Sequence, residues 1–320
     1  MRPARPTESY TVSIRARPLP EKAASRSTTE YLMTKSAPLP RFARPHDWKE
    51  IDHAVQTNGG AIVEDLLTAN EVETLNDQID GYLASHDDAA KAQTGSTVYD
   101  QFLGHKTLRL HGLIEKMPCS ADLIGRTDLI EWAERMIAPI ASSVLLNAGE
   151  LIQIQPGEPA QYLHRDSDSW PTPVGEHPVI VNALVALDPC TLENGATHIA
   201  PGSWQWESGR KPEADEFTRA VMKSGDAVLF HDIVHGGGEN TTDSRRRVVS
   251  VSYCAGWLRP VENSFLNLSH ETVRSLPARL QAVLGYAAYD GIQQSGGLIG
   301  LFENGDPGSA LSTDPSTNRS

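Results

Sequence analysis

His164 and Asp166, in the run Gln161-Tyr162-Leu163-His164-Arg165-Asp166, stand two residues apart. On an extended strand side chains alternate with period two, so this imidazole and this carboxylate project to one side and can supply two adjacent ligands to a metal ion. A second histidine from elsewhere would complete a two-histidine, one-carboxylate face, which leaves three positions open on Fe(II) and suits oxygen chemistry. The spacing alone is not diagnostic. His86-Asp87-Asp88 repeats it just beyond a helical pattern and reads as a solvated helix end. A second histidine is available at His235, at the end of a strand pattern and ahead of Gly236-Gly237-Gly238, a turn where backbone can pass close to a ligand. Arg245-Arg246-Arg247 then opens another strand, where one guanidinium can hold a dicarboxylate by its bidentate fork. Alternation sets Arg246 on the opposite face from Arg245 and Arg247 but does not choose among them. His198 and His231 read as structural histidines paired with neighbours.

The elements that must carry these groups fall into two parts. From Trp48 to about Ala84 the pattern gives a leading strand, Gly60 to Val63, and a helix opened by a Thr68/Glu71 capping box, with Val72, Leu75, Ile79 and Leu83 on its apolar stripe. A second helix is predicted over 127–141. After residue 145 short strands follow one another: around Leu151 to Gln155, the near-continuous apolar run Val179 to Leu187, Ala227 to Phe230, and the long Arg246 to Trp257. Turns fall at Pro156-Gly157, Glu193-Asn194-Gly195 and Pro201-Gly202. The fold class expected is α+β, mainly β: a double-stranded β-helix, or jelly-roll barrel, with N-terminal helices packed on it. The expected divisions are a disordered extension over 1–44, one domain over 45–307 and a flexible tail over 308–320.

Composition narrows the function classes. The net charge is −13; residues 1–44 carry nine Arg/Lys against three Glu, which leaves −19 for the remainder. An acidic body repels phosphate backbones, so a nucleic-acid partner is not expected, and a coenzyme A thioester is a poor fit. No apolar run is long enough to span a membrane. Three cysteines at unpatterned spacings read as free thiols in a reducing compartment, so the location expected is the cytoplasm. The Arg- and Ser-rich leader leaves an organelle transit peptide, or a start at Met33, as alternatives.

Taken together, the block Leu151 to Trp170, the segment Glu193-Asn194-Gly195-Ala196-Thr197-His198-Ile199-Ala200-Pro201-Gly202-Ser203, and His235 to Asn240 running into Arg246-Arg247-Val248-Val249-Ser250 resemble the phytanoyl-CoA dioxygenase family. More narrowly, they resemble its fungal-type members that tailor alkaloids and terpenoids. Leu284-Gly285-Tyr286, Gly297-Leu298-Ile299-Gly300 and Gly305-Asp306-Pro307 are similar to the family's C-terminal end. The resemblance implies His164, Asp166 and His235 as ligands of Fe(II), Arg246 on the distal carboxylate of 2-oxoglutarate, and Gln161 and Thr197 hydrogen-bonded to that cosubstrate. With O2, such a site oxidises an unactivated C–H of a small molecule, with hydroxylation, desaturation or rearrangement as outcomes. Asp166 fills the position that related halogenases leave to chloride. A homodimer is a further expectation from the resemblance. The rival readings are another cupin-type metalloenzyme, either a 2-oxoglutarate-independent dioxygenase or an isomerase, and a non-catalytic binding module. Substrate selection is expected from loops around 99–112, 167–174 and 257–267, with Trp170 and Trp257 either lining the pocket or packing in the core.

Overall fold

The computed structural model describes residues 38–86, 97–170, 177–207, 209–292 and 297–312. The leader expected over 1–44 and the tail over 308–320 lie largely outside these. Two described stretches carry the folded body past those boundaries. Leu39 is buried and β1 (Arg41–Phe42) pairs in parallel with β2 (Gly60–Val63). At the other end, the turn Pro307–Leu311 buries Leu311.

Between β1 and β2 lies a helix that the sequence pattern did not reveal, α1 (Trp48–Asn58). Asp47 caps it, accepting from the amides of Lys49 and Glu50, and Gly59 ends it in the left-handed region (φ 82°). A Cβ at Gly59 would also sit 2.4 Å from Ile233, so glycine is required twice over. The second helix, α2 (Ala69–Ser85), has both halves of the Thr68/Glu71 capping box, and buries Val72, Leu75 and Ile79. Its end is His86, stacked on Tyr82 at 4.2 Å and exposed, while Asp87 and Asp88 lie outside the described residues. The stretch read as a loop around 99–112 is structured: α3 (Thr97–Leu103) and β3 (Thr107–Leu110). Short helices α4 (Leu113–Lys116) and α5 (Ser120–Ile124) lead to α6 (Thr127–Ile137), which stops short of the expected 141 beside Pro139.

Strands β1 to β10 form two sheets among the described residues. The larger contains β4 (Val144–Ile154) and β5 (Ile180–Ala186), together with β8 (Ala227–Phe230) and β10 (Arg246–Ala255), in the order β1-β2-β8-β5-β10-β4-β3. Only β1–β2 is parallel. The smaller sheet orders β6 (His198–Ile199), β7 (Thr218–Arg219) and β9 (His235–Gly236) as β7-β6-β9. Every residue of β5 and β8 is buried, because the large sheet is covered on both faces. Its outer face, with Val181, Ala183, Val185, Val249 and Val251, packs against Leu129, Trp132, Ala133 and Met136 of α6. Its inner face, with Leu184, Ala186, Val228, Phe230 and Val248, packs against Ile199 of the smaller sheet and against Cys190 and Ala196 on the segment between β5 and β6. Each fully buried aliphatic side chain here contributes about 1.5–3 kcal/mol of transfer free energy.

Two apposed, nearly antiparallel sheets give the jelly roll expected, although no continuous ladder closes them into a barrel. Three short C-terminal helices, α7 (Ser264–Asn267), α8 (His270–Ser275) and α9 (Ala278–Gln281), add Val273 and Leu280 to the outer core. The last hairpin, β11 (Tyr289–Asp290) with β12 (Leu298–Ile299), leaves Leu298, Ile299, Leu301 and Phe302 exposed. All three cysteines are free thiols. No helix among the described residues is long and apolar enough to cross a membrane.

Candidate metal and cosubstrate site

His164 does not lie on a regular strand. It forms an isolated antiparallel bridge with His235 of β9, in which each backbone amide donates to the other residue's carbonyl at 2.9 Å. The chain then turns into a 3-10 helix, Asp166–Ser169, which starts at the carboxylate residue itself. The bridge brings the two imidazoles side by side, with ring centroids 4.5 Å apart, and the turn swings Asp166 back towards both. His164 Nε2 lies 3.5 Å from Asp166 Oδ1, and His235 Nε2 lies 3.7 Å from Asp166 Oδ2. The three potential ligand atoms lie within 4.8 Å of one another.

The protons on the imidazoles are fixed by what lies behind them. His164 Nδ1 is 3.2 Å from the carbonyl of Tyr162, and His235 Nδ1 is 3.0 Å from the carbonyl of Ile233. A carbonyl only accepts, so each Nδ1 carries a hydrogen, and each Nε2, turned towards Asp166, is the ring nitrogen left for a metal ion. Burial lowers the pKa of His235 despite the attraction of Asp166, which keeps that ring neutral. Burial alone would raise Asp166, but His235, His164 and the side chain of Asn182 outweigh it and hold the carboxyl down to about 2. Two imidazole nitrogens and one carboxylate form the donor set that a divalent iron takes. Packing holds the rings in place: Phe102 of α3 meets His164 edge-on at 4.7 Å, and Phe230 of β8 meets His235 at 4.7 Å.

The three arginines separate cleanly. Arg245 is exposed beside Asp80 and Asp188. Arg247 points to the outer face with all three nitrogens engaged, donating to Gln153, Asn76 and Asp80. Arg246 points inward and is 2% exposed. Its Nε has no hydrogen-bond partner, and no carboxylate lies in ion-pair contact with it among the described residues. Burial lowers its pKa, and the thiol of Cys190 is its main polar neighbour. A buried guanidinium with spare donors fits a ligand carboxylate.

Gln161 and Gly237 flank this arginine. A Cβ on Gly237 would lie 3.8 Å from Arg246 Nη2 and 3.8 Å from Gln161 Oε1. The Gln161 carboxamide is engaged by backbone at both ends: Oε1 accepts from Gly237 N (3.1 Å) and Nε2 donates to the carbonyl of Phe102 (3.1 Å). Thr197 is buried immediately before β6 and, by the β6–β9 register, faces the same side as His235. The outer glycines of the triple pass against backbone rather than ligand: a Cβ on Gly236 would lie 3.2 Å from Gln161 O, and one on Gly238 would lie 2.8 Å from Ala196 O.

His198 stacks on Phe217, and His231 packs edge-on against Trp204, each with its pKa lowered by burial to about 4. Both are structural, as expected. Trp257 donates to the carbonyl of Ile140 and packs on the outer core, whereas Trp170 donates to Arg259 O across the 259–263 segment. Sequence reading missed Phe102, Cys190 and Asn182, which nothing local marks as neighbours of the site.

A jelly roll whose two sheets converge on two histidines and one carboxylate defines the class: a metal-site protein of double-stranded β-helix architecture. The family model for phytanoyl-CoA dioxygenase (PhyH) matches residues 55–248, and the chain belongs to that family. It is 31% identical to the dioxygenase FUM3 of Gibberella moniliformis, over 72% of this chain and 80% of that protein. It is 28% identical to the iron/alpha-ketoglutarate-dependent dioxygenase penM of Penicillium thymicola, over 78% of this chain and 81% of that one. Among solved structures, the epimerase SnoN in complex with Fe3+, alpha-ketoglutarate and nogalamycin RO shares the fold, with a TM-score of 0.53 at 20% identity, covering 68% of this chain and 88% of that one.

Proposed function

We infer that this chain is an Fe(II)/2-oxoglutarate-dependent dioxygenase that oxidises an unactivated C–H of a small molecule, an intermediate of secondary metabolism. The observation that carries the reading is the pairing of two features: a His164, Asp166, His235 donor set and, on the inner face of the large sheet, a buried Arg246 with spare donors. A metal-only cupin enzyme would need the first and not the second. Family membership and the dioxygenases FUM3 and penM support the same activity.

In this reading His164, Asp166 and His235 hold the iron. Arg246 takes the distal carboxylate of 2-oxoglutarate, with Gln161 and Thr197 beside it. Bound Fe(II) and 2-oxoglutarate supply O2 activation, with succinate and carbon dioxide as the cosubstrate's products. The chain's own contribution is orientation: the carbonyls of Tyr162 and Ile233 fix the imidazole tautomers, and Phe102 and Phe230 wall the rings off from water. We further propose a cytoplasmic homodimer, for which the exposed apolar hairpin at 298–302 is a candidate contact.

The test is anaerobic addition of Fe(II) and then 2-oxoglutarate, following the visible charge-transfer band of the chelated cosubstrate. Wild type is expected to give the band and Asp166→Ala to lose it. A folded, iron-loaded wild type without the band would overturn the reading in favour of a cupin-type enzyme that does not use 2-oxoglutarate.

A further inference from the structure

Asn182 is the single polar residue of β5, set among Ile180, Leu184 and Ala186 on the inner face. It is 3% exposed, and its Nδ2 has no hydrogen-bond partner among the described residues. A buried amide donor left unpaired is rare enough to require an explanation. The register supplies one. Asn182 pairs across β8 with Phe230, the residue whose ring packs on His235, and across β10 with Ser252. Ser252 is already engaged, accepting from Asn147 and donating to Ala148 O, so it does not need the amide. Asn182 thus stands beside the ring that packs on His235, whose Nε2 lies 3.7 Å from Asp166 Oδ2, and its side chain helps to lower the Asp166 carboxyl although no hydrogen bond is closed between them.

We propose that Asn182 is the positioning residue of the carboxylate ligand. When a metal ion binds, its amide would donate to one oxygen of Asp166 and leave the other for the metal, so that the carboxylate binds through a single oxygen. The proposal rests on the iron-site reading given above, but only on its metal half. Hydrogen-bonded partners of ligating carboxylates typically account for 10–100-fold in metal affinity.

Co(II), which is redox-inert here and coloured, is the probe. Visible titration of metal-free wild type, Asn182→Leu and Asn182→Ser with Co(II) gives the dissociation constants, and thermal unfolding of the same metal-free samples gives their stability. Asn182→Leu is expected to bind Co(II) about 10–100-fold more weakly, while its metal-free unfolding temperature stays level or rises, because an unpaired buried amide has been replaced by an apolar group of similar shape. A residue that merely supports the fold would show the reverse: lower stability and unchanged Co(II) affinity. Unchanged affinity in Asn182→Leu overturns the proposal. If that variant does not fold, unchanged affinity in Asn182→Ser does the same. Loss of the charge-transfer band with 2-oxoglutarate in wild type would instead sink the cosubstrate reading, and leaves the Co(II) comparison standing.

Discussion

Arg246 and Arg247 are adjacent on β10, both essentially removed from solvent, and opposite in every other respect. Arg247, on the outer face, spends Nε, Nη1 and Nη2 on Gln153, Asn76 and Asp80, tying the sheet to α2. Arg246, on the inner face, lies beside a thiol and a glycine, its Nε is unpaired among the described residues, and Asp188 attracts it without forming an ion pair. Burying an uncompensated charge is costly, and a fold under no other demand would fill the position with an apolar side chain. The outer arginine is therefore part of the architecture, and the inner one is kept charged for something that binds. Period two of a strand places the two roles one residue apart.

Substitution of each arginine is the most direct way to break this contrast. Arg246→Leu is expected to raise the 2-oxoglutarate concentration needed for half-maximal charge-transfer absorbance by at least about 100-fold, or about 3 kcal/mol, typical of truncating one member of a desolvated charge pair. Its denaturant midpoint should stay level or rise, since nothing native is left unpaired. Arg247→Leu should do the converse. It strands Gln153 and Asp80, and should cost about 2–3 kcal/mol in urea unfolding, at the low end for a broken buried pair because Asp80 is half-exposed. Its 2-oxoglutarate requirement should move by less than about threefold. A large cosubstrate effect in Arg247→Leu would mean that the faces are coupled and the contrast false.

Acid titration of the metal-free protein sharpens the same contrast through the carboxylates. Asp166 on the inner side is held at about 2, below its ordinary 3.8. A depressed carboxyl contributes stability that is fully present above its unfolded pKa and is lost as pH falls through its folded value. Here that is about 2 kcal/mol, lost between about pH 4 and 2. Asp80, on the outer side, is also lowered: burial raises it, and hydrogen bonds and charge from Arg247 and Arg245 together outweigh that. Urea unfolding of Asp166→Asn at pH 6 and pH 3 should show a shallower loss than wild type, and Arg247→Leu should show a smaller flattening, since half-exposed Asp80 is screened by solvent.

The outer side of the molecule was largely legible in sequence and the inner side was not, for a physical reason. Outer-face signals are local: the Thr68/Glu71 box, the stripe of α6 and the alternation of β10 each depend on residues within one element. Helix α1 escaped because its buried side is only Ile51, Ala54 and Val55, too sparse to show a period, although Asp47 and Gly59 marked its ends. The inner face is assembled from separate elements. His164 and Asp166 face one another through a cross-bridge and a 3-10 turn rather than the strand alternation expected of them. Phe102 arrives from a helix read as a loop, and Asn182 is one polar letter in an apolar run. Only the joint resemblance of several blocks pointed to the set of ligands.

Gln161 lies where the two kinds of region meet, and the smallest expected effect is there. Resemblance to the family implies that it hydrogen-bonds the cosubstrate, yet its carboxamide spans Gly237 N and Phe102 O, stitching α3 to the glycine turn beside Arg246. Leucine in its place would remove both bonds and leave the Gly237 amide without this acceptor, at about 1–2 kcal/mol in urea unfolding. If Gln161 acts only through Gly237, the 2-oxoglutarate requirement of Gln161→Leu should rise by no more than about tenfold, well short of Arg246→Leu. In the double variant the effects should then overlap rather than add, because the loosened turn matters only while Arg246 is there to be positioned. Equal losses in the two single variants that add fully in the double would show that Gln161 reaches the cosubstrate directly, and that its backbone contacts are given up when 2-oxoglutarate binds.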